Sequence, residues 1–245
     1  MATTSKAQFL ADIHAQLKKR YKIEPSPEKM SILEAVIYGI CHEDTTRDQA
    51  NQALSRFKDD FFDWNEVRVS TLEEIQGVLA DMSDTEGRAF RIRRFLRQLF
   101  EKTYGFNLEL LAKKPQKESL KALEEYDAFC SDYVLATVTR LALAGHAIPV
   151  DSPTLRALRR LGVSDETIDV PTIRATLERA VPKNRGGEFG DLVEELAHDT
   201  CVEGDPDCPR CELQQVCPTG RAYTAPPPPT KPAGKGKAGK AKSAE

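Results

Sequence analysis

Four cysteines lie within 17 residues near the end of the 245-residue chain, in the segment CVEGDPDCPRCELQQVC at positions 201–217. Cysteine thiolates bind zinc and iron–sulfur clusters, and this segment contains no histidine. A zinc site commonly uses two C-x-x-C pairs or adds histidine, whereas four thiolates alone also suit a 4Fe-4S cluster. The spacing leaves both options open, and the predicted metal ligands are Cys201, Cys208, Cys211 and Cys217.

A single acidic residue is a second candidate for chemistry. Asp151 stands in the stretch VDSPTLRAL, where Ser152 followed by Pro153 predicts the N-cap and first position of a helix. A carboxylate just outside a helix N-terminus is favoured in its ionised form, and it could stabilise a cation that develops on a substrate. The alternative is that Asp151 only adds a second acid to the cap.

The other two cysteines, Cys41 and Cys130, each stand alone in an apolar stretch. Free cysteine commonly behaves as a small buried hydrophobe. We therefore expect both side chains to be buried and to take no part in a metal site.

The elements that position these residues are predicted to be helices. Apolar residues recur at helical spacing in segments that begin near Phe9, Ile32 and Phe90, and alternating runs of β-branched residues are absent. The expected fold class is therefore all-α. No apolar run reaches the roughly 18 to 20 residues that span a bilayer. With 40% hydrophobic and 30% charged residues, the chain is expected to be soluble and cytoplasmic.

Charge is divided unevenly along the chain. Residues 219–245 carry one arginine and five lysines against one glutamate, a net charge of +5, and since the whole chain carries −3, the rest carries −8. This Pro-, Lys- and Ala-rich segment is expected to be a disordered tail, either a linker or a source of sequence-independent attraction to a polyanion. Six basic residues between Arg88 and Lys102 form either a solvated helix face or a phosphate-contacting one.

Two motifs, taken in order, resemble those of the endonuclease III group of helix-hairpin-helix (HhH-GPD) DNA glycosylases, which includes the MutY-type adenine glycosylases. The C-x6-C-x2-C-x5-C spacing is similar to that family's 4Fe-4S signature. It follows a connector that contains Gly145, Pro149 and Asp151 by about 50 residues, as in the family. The resemblance covers residues 6–218.

The resemblance implies an all-helical, two-lobed fold with a 4Fe-4S cluster and with DNA across the cleft between the lobes. Residues 1–27 are expected to provide an N-terminal helix that packs with the cluster lobe. Residues 28–143 would form a helical barrel lobe with a degenerate helix-hairpin-helix, and residues 144–218 the cluster lobe. Residues 219–245 would be the disordered tail.

The resemblance also assigns candidate catalytic residues. The family's catalytic aspartate corresponds to Asp151. The lysine that endonuclease III uses stands eighteen residues earlier in a glycine-rich hairpin, where this chain has Tyr133 in DAFCSDY. Tyrosine cannot form a Schiff base with a sugar aldehyde, so AP-lyase activity is not expected. Some MutY-like and mismatch glycosylases have tyrosine here, which makes Tyr133 a second catalytic candidate.

Other departures from the family concern its DNA contacts. Phe129 and Ser131 replace the two hairpin glycines whose backbone approaches a phosphate. Cys41 stands near the position of the glutamine that fills the gap left by a flipped base, and Glu34 lies within a turn of the position of MutY's catalytic glutamate. The loop VEGDPD at 202–207 is acidic where relatives often present basic residues to phosphate.

Three functional hypotheses follow. The first is a monofunctional DNA N-glycosylase of base excision repair, which flips a damaged or mismatched nucleotide into the cleft, where Asp151 stabilises the oxocarbenium-like sugar. The second is a catalytically degenerate DNA-binding iron–sulfur protein that uses the lysine-rich tail for affinity. The third is a cluster protein that acts through protein partners. In each case a monomer is expected, nucleoid-associated if it binds DNA.

Overall fold

The computed structural model describes residues 5–23 and 30–224, and all regular structure in these residues is helical. This confirms the predicted all-α fold class. No helix in the described part of the chain is long and apolar enough to cross a membrane. Two short 3-10 turns, Asp127–Cys130 and Cys208–Arg210, accompany the α-helices. In chain order the α-helices are α1 (Lys6–Arg20), α2 (Ile32–His42), α3 (Arg47–Asp60), α4 (Trp64–Val69), α5 (Leu72–Val78), α6 (Thr85–Thr103), α7 (Glu109–Ala112), α8 (Gln116–Leu123), α9 (Asp132–Leu141), α10 (Ser152–Arg160), α11 (Val170–Ala180), α12 (Lys183–Asp199) and α13 (Pro218–Thr224).

Two separate hydrophobic cores divide the described residues into two lobes. Helices α2–α9 enclose the first core, which we call the barrel lobe. The second core combines α1 with α10, α11, α12 and the cysteine-containing segment, and we call it the cysteine lobe. Helix α1 buries Leu10, Ile13 and Leu17 in this second core. The boundary predicted between residues 27 and 28 lies outside the described residues.

Helix α2 is the most buried helix of the barrel lobe, because every residue in it except Glu34 is buried. It begins with a capping box, in which Ser31 and Glu34 each accept a hydrogen bond from the other's backbone N–H. It packs against α3 and α9. A Cβ added at Gly39 would lie 3.4 Å from the Cα of Val134 in α9, so glycine here allows the close approach that brings the end of α2 beside α9.

The end of α2 is capped by a buried arginine from α6. The Arg88 guanidinium donates hydrogen bonds to the carbonyls of Ile40, Cys41 and Glu43, groups that a helix end otherwise leaves without partners. Most of the basic segment is likewise engaged within the protein, which favours a structural face over a phosphate-contacting one. The other intramolecular contacts join Arg91 to Glu43, Arg93 to the Ser70 carbonyl, Arg94 to Asp127, and Lys102 to Glu125.

The short helix α13 corrects one expectation. Disorder was predicted from residue 219, but residues 219–224 belong to α13. The Thr219 hydroxyl donates to the Arg160 carbonyl over 3.1 Å, and the Tyr223 hydroxyl donates to Asp205 over 2.9 Å. These contacts hold the segment on the cysteine lobe, which composition alone does not reveal. The predicted disorder of residues 225–245 falls outside the described residues.

Candidate functional site

A cavity of about 590 Å³ lies between the two lobes. The barrel lobe supplies its walls from α2, α3 and α9, and the cysteine lobe supplies them from α12 and from the connector before α10. Pro149 and Thr154 line it, and Asp151 stands between them in the chain without lining the cavity itself. The other lining side chains used below are Tyr38, His42, Arg47, Tyr133, Thr137, Arg140, Asp191 and Glu194.

Asp151 is itself the N-cap of α10. One carboxylate oxygen accepts a hydrogen bond from the Thr154 N–H over 2.9 Å, and the other accepts from the Asp44 N–H over 3.3 Å. The prediction that Ser152 is the cap is wrong, because Ser152 is the first helical residue and its N–H donates to the Asp44 carboxylate over 2.9 Å. Asp44 has a φ of 58°, a left-handed conformation that aspartate tolerates. This reciprocal contact ties the loop after α2 to the start of α10.

The Asp151 carboxylate is buried, and the charges of two other acidic side chains influence it. Its residue is 6% exposed. Burial raises the pKa of Asp151 above its usual value, the hydrogen bonds from Thr154 oppose this, and the carboxylates of Glu194 and Asp44 raise it further. A positive charge that develops beside Asp151 would relieve this repulsion. The geometry is therefore compatible with both readings of Asp151, as a helix cap and as a cation-stabilising group.

Tyr133 lies at the same site and belongs to a buried chain of three side chains. Its hydroxyl is 2.9 Å from Nδ1 of His42, and Nε2 of His42 is 2.7 Å from a carboxylate oxygen of Glu194. Burial raises the pKa of Tyr133 well above its usual value, and the charges of Glu194 and then Asp151 raise it further. The structure therefore brings the two predicted catalytic residues together, although their roles stay a prediction.

Sequence analysis missed His42 and Glu194. Glu194 stands 152 positions after His42 and comes from the other lobe. The available signal was weak: His42 is a polar residue at the end of an otherwise apolar helix, and Glu194 is one of several acids in α12. Their contact requires the two lobes to close on each other.

A second charged group crosses the cavity beside this chain. Arg140 of α9 makes a bidentate ion pair with Asp191 of α12, with distances of 2.6 and 2.7 Å, and Arg47 of α3 reaches the same carboxylate over 2.8 Å. Burial would raise the pKa of Asp191, but the two guanidinium groups hold it below its usual value. Asp191 thus stays ionised and joins the lobes.

The four clustered cysteines surround a smaller cavity in the other lobe. The volume of this cavity is about 20 Å³, and it is bounded also by Arg160, Leu161 and Leu196. Arg160 Nη1 lies 3.6 Å from the Cys201 sulfur, and the Gly220 N–H donates to the Cys217 sulfur over 3.4 Å. Burial raises the pKa of Cys211 to about 11 and raises that of Cys208 as well. A metal that binds thiolates would have to displace these protons.

The donor set fits an iron–sulfur cluster in its chemistry. All four side-chain sulfurs face one cavity, and no histidine or carboxylate lines it within the described residues. Among residues 5–23 and 30–224, no group of three or more His, Cys, Asp or Glu side chains is arranged to hold a single metal ion. Four cysteine thiolates are the usual ligands of a 4Fe-4S cluster, and they also bind zinc. The metal ligands themselves stay a prediction.

The predicted hairpin is a 3-10 turn, Asp127–Cys130, followed by α9 with Ser131 as its N-cap. Phe129 is buried in the barrel core, whereas Cys130 is exposed. The expectation of a buried Cys130 is therefore wrong, because Phe129 fills the core and Cys130 falls on the outer side of the turn. Ion pairs flank the turn on both sides, between Asp127 and Arg94 and between Asp132 and Arg174.

Two further positions that were compared with the family have structural roles. Cys41 is fully buried in the barrel lobe, as expected, so its side chain is not placed to fill a gap in DNA. Glu34 completes the capping box of α2 and pairs with Lys58 over 2.7 Å. Neither residue lines the cavity between the lobes.

Comparison with known proteins gives structural matches only. No protein-family model matches the chain, and no curated protein matches its sequence. An endonuclease III trapped in a covalent intermediate with DNA is 18% identical, with a TM-score of 0.71 over 91% of this chain and 100% of its own. A thermostable thymine-DNA glycosylase is 18% identical, with a TM-score of 0.65 over 91% and 100% of the two chains. A 3-methyladenine DNA glycosylase from H. pylori is 13% identical, with a TM-score of 0.56 over 78% and 93%.

At these identities the matches show the fold, and they cover both lobes. The chain therefore has the two-lobed, all-helical, helix-hairpin-helix fold of endonuclease III.

Proposed function

We propose that this protein is a monofunctional DNA N-glycosylase of base excision repair. The observation that carries the proposal is the buried Asp151 carboxylate, which two backbone N–H groups hold between the cavity-lining residues Pro149 and Thr154 and which the charge of Glu194 influences. Such a site stabilises a positive charge rather than a negative one. The solved structures with this fold include complexes of endonuclease III with DNA.

In the proposed reaction, a nucleotide is flipped from the duplex into the cavity between the lobes. As the bond between the base and C1′ of the sugar breaks, positive charge develops on the sugar, and the ionised Asp151 stabilises it. The Tyr133 hydroxyl faces the same space from α9. Tyrosine offers no amine for an imine with the opened sugar, so the reaction ends at an abasic site.

A panel of labelled duplexes tests this proposal. Separate duplexes carry uracil, thymine glycol, 8-oxoguanine pairs or an abasic site, and strand breaks are measured with and without added alkali. We expect breaks that depend on alkali with at least one lesion. Asp151→Asn should lower base removal by on the order of 10²-fold or more, as for loss of other charge-stabilising groups, with little change in duplex binding. Equal rates in both proteins would remove Asp151 from the mechanism.

Borohydride trapping tests the absence of lyase chemistry. The wild type should form no covalent adduct with abasic DNA, since Tyr133 stands where the family has lysine. One lysine, Lys22, does line the cavity, and it provides the control. An adduct in the wild type that disappears in Lys22→Gln would identify this amine as a nucleophile and would contradict the monofunctional assignment.

We also propose that Cys201, Cys208, Cys211 and Cys217 hold a 4Fe-4S cluster. The support is that all four cysteines line one cavity, to which no histidine or carboxylate contributes within the described residues. Such a cluster would cross-link the segment 201–217. Anaerobically purified protein should contain about four iron atoms per chain, and Cys208→Ser should lose them while the exposed-cysteine control Cys130→Ser keeps them. Stoichiometric zinc without iron, even after cluster reconstitution, would contradict this.

One observation favours the alternative of a catalytically degenerate DNA-binding protein. The hairpin turn carries Phe129 and Ser131 in place of glycine, and Asp127 and Asp132 flank it. Acidic groups beside a hairpin repel DNA phosphates and therefore weaken DNA binding. If no duplex in the panel loses a base, while the protein still binds DNA with a measurable dependence on salt, this alternative replaces the glycosylase assignment.

A further inference from the structure

The buried chain of Tyr133, His42 and Glu194 has a defined direction of hydrogen bonding. An ionised Glu194 can only accept, so Nε2 of His42 carries the hydrogen and donates to it over 2.7 Å. Nδ1 of the neutral imidazole is then an acceptor, and the Tyr133 hydroxyl donates to it over 2.9 Å. All three residues are less than a tenth exposed. A carboxylate, an imidazole and a hydroxyl in this order form an arrangement in which the imidazole removes the hydroxyl proton and so activates the oxygen.

Tyr133, at one end of this chain, lines the cavity near an unpartnered polar group. Tyr133 and Thr137 stand four residues apart on α9, on one face of the helix, and both line the cavity. Thr137 is 2% exposed, and its hydroxyl has no hydrogen-bond partner within the described residues. Because the hydrogen of Tyr133 is directed at His42, the lone pairs of its oxygen remain for a donor from the cavity. Two neighbouring hydroxyls of this kind suit a water molecule.

We propose that His42 accepts, through the Tyr133 hydroxyl, the proton of the water that replaces the base, and that Glu194 positions His42 for this step. This inference rests on the proposed glycosylase function and adds the groups that activate its nucleophile. The water oxygen bonds to C1′ as the C1′–N bond breaks, and the electron pair of that bond leaves with the base. The water's proton passes to the Tyr133 oxygen, while the Tyr133 proton passes to Nδ1 of His42.

The charges around the chain fit these roles. The resulting imidazolium is paired with Glu194, as the imidazolium of other hydroxyl–histidine–carboxylate systems is paired with its acid. Tyr133 transfers a proton without existing as an anion, which agrees with the raised pKa of its hydroxyl. Asp151 stands apart from the transfer and stabilises the sugar cation. The water therefore meets a proton acceptor on one side and the activated C1′ on the other.

Several aromatic and charged groups surround the His42 imidazole. On its own helix, the Tyr38 ring lies 5.0 Å from the imidazole, centroid to centroid. Tyr133 faces it from α9 and Glu194 from α12. The ion pairs of Asp191 with Arg140 and Arg47 act on Tyr38. Burial and the charge of Glu194 raise the pKa of Tyr38, Asp191 raises it further, and the two arginines lower it. Of these groups, Glu194 makes the direct ionic contact, so its replacement should have the clearest effect on the pH dependence.

A double-mutant cycle tests the proposal in single-turnover experiments on the lesion that the wild type repairs. Tyr133→Phe and His42→Gln should each lower the rate by roughly 10²- to 10⁴-fold, the range of general base catalysis. The double variant should be no slower than the slower single variant, because the residues act as one unit. The solvent deuterium isotope effect of the wild type should disappear in Tyr133→Phe. Multiplying losses, or an isotope effect that survives in Tyr133→Phe, would overturn the proposal.

Glu194→Gln tests the positioning role. It keeps an acceptor for the imidazole N–H but removes the charge that stabilises the imidazolium, so the acid limb of the rate profile should move to lower pH. If Glu194 had a purely structural role, Glu194→Gln would lower the rate but leave the acid limb of the pH–rate profile at the same pH. That result would overturn the positioning role of Glu194. The matched controls are Tyr126→Phe, which alters an equally buried tyrosine, and His14→Gln, which alters a buried histidine paired with Glu188 over 2.9 Å in the cysteine lobe. Both should keep the wild-type rate and profile.

The outcomes separate this inference from the function on which it rests. A wild type that removes no base from any duplex would overturn the glycosylase function and the proton transfer together. An active wild type whose Tyr133→Phe and His42→Gln losses multiply would overturn only the proton transfer. Thermal unfolding and the affinity for product DNA, measured for every variant, identify losses that come from misfolding.

Discussion

Replacing Asp191 should uncouple the two lobes at a predictable cost in stability. The Asp191 residue is 4% exposed, and its carboxylate forms ion pairs with Arg140 of α9 and Arg47 of α3. Asp191→Asn keeps the shape of the side chain but leaves two largely buried guanidinium groups without the carboxylate that they share. Removing one partner of a buried ion pair costs about 3–5 kcal/mol, because the remaining charge stays buried.

The cost can be measured by denaturant and thermal unfolding. For a chain of this size each kcal/mol corresponds to roughly 2–4 °C in Tm, so Asp191→Asn should melt about 6–20 °C below the wild type. The control is Asp127→Asn, which removes the acid of a half-exposed pair with Arg94 and should cost less than about 1 kcal/mol. The pKa of Asp191 is lowered in the folded state, so its contribution is present above the unfolded value of about 3.9. It is lost as the pH falls through the folded pKa.

Two results would refute this reasoning. One is an Asp191→Asn protein whose free energy of unfolding lies within 1 kcal/mol of the wild type, roughly the cost expected of the exposed control pair. The other is a difference between the two proteins that grows as the pH falls below 4. Either would mean that Asp191 contributes little as a charge.

Three further predictions concern single residues. The pKa of Asp151 is raised in the folded state, so its contribution to stability is present in acid and is lost as the pH rises through the folded pKa. The stability of the wild type relative to Asp151→Asn should therefore fall from about pH 4 toward neutrality. A rise in relative stability over this range would contradict the raised pKa. Gly145→Ala places a Cβ 2.6 Å from Thr139 Cγ2 and should cost about 1–3 kcal/mol in chemical unfolding, whereas Gly77→Ala, with nothing within 4 Å, should not destabilise. Arg88→Met removes the donor to the Ile40 and Glu43 carbonyls, while the Cys41 carbonyl keeps its hydrogen bond from the Thr45 hydroxyl, and should cost several times about 1 kcal/mol. An equal cost for an exposed arginine such as Arg97 would argue against the capping role.

The sequence was sufficient for the helices and insufficient for the contacts between them. The period of apolar residues predicted the segments that became α1, α2 and α6, because one buried face per helix leaves a local pattern. The position of Asp151 at a helix start was also local, although the cap proved to be Asp151 rather than Ser152.

The chain through His42 and Glu194 could not be predicted in this way. Its members come from α2, α9 and α12, and no local pattern encodes a hydrogen bond between residues 152 positions apart. The same limit explains Cys130, since its apolar neighbours are buried by a turn that leaves its own side chain outside. Periodicity reports which face of an element is buried, and tertiary contact decides which polar groups meet.

Helices α10 and α12 connect the cavity between the lobes to the cysteine segment. Asp151 begins α10, and at the other end Arg156 and Arg160 donate to the carbonyls of Ala197, Cys201 and Val202. Glu194 stands seven residues before Cys201, roughly 10 Å along a helix axis. A slip of α12 by one residue would move Glu194 by about 1.5 Å and turn it by about 100°, away from His42. The hydrogen bonds between α10 and the cysteine segment therefore help to fix the position of α12 along its axis, and with it the contact between Glu194 and His42.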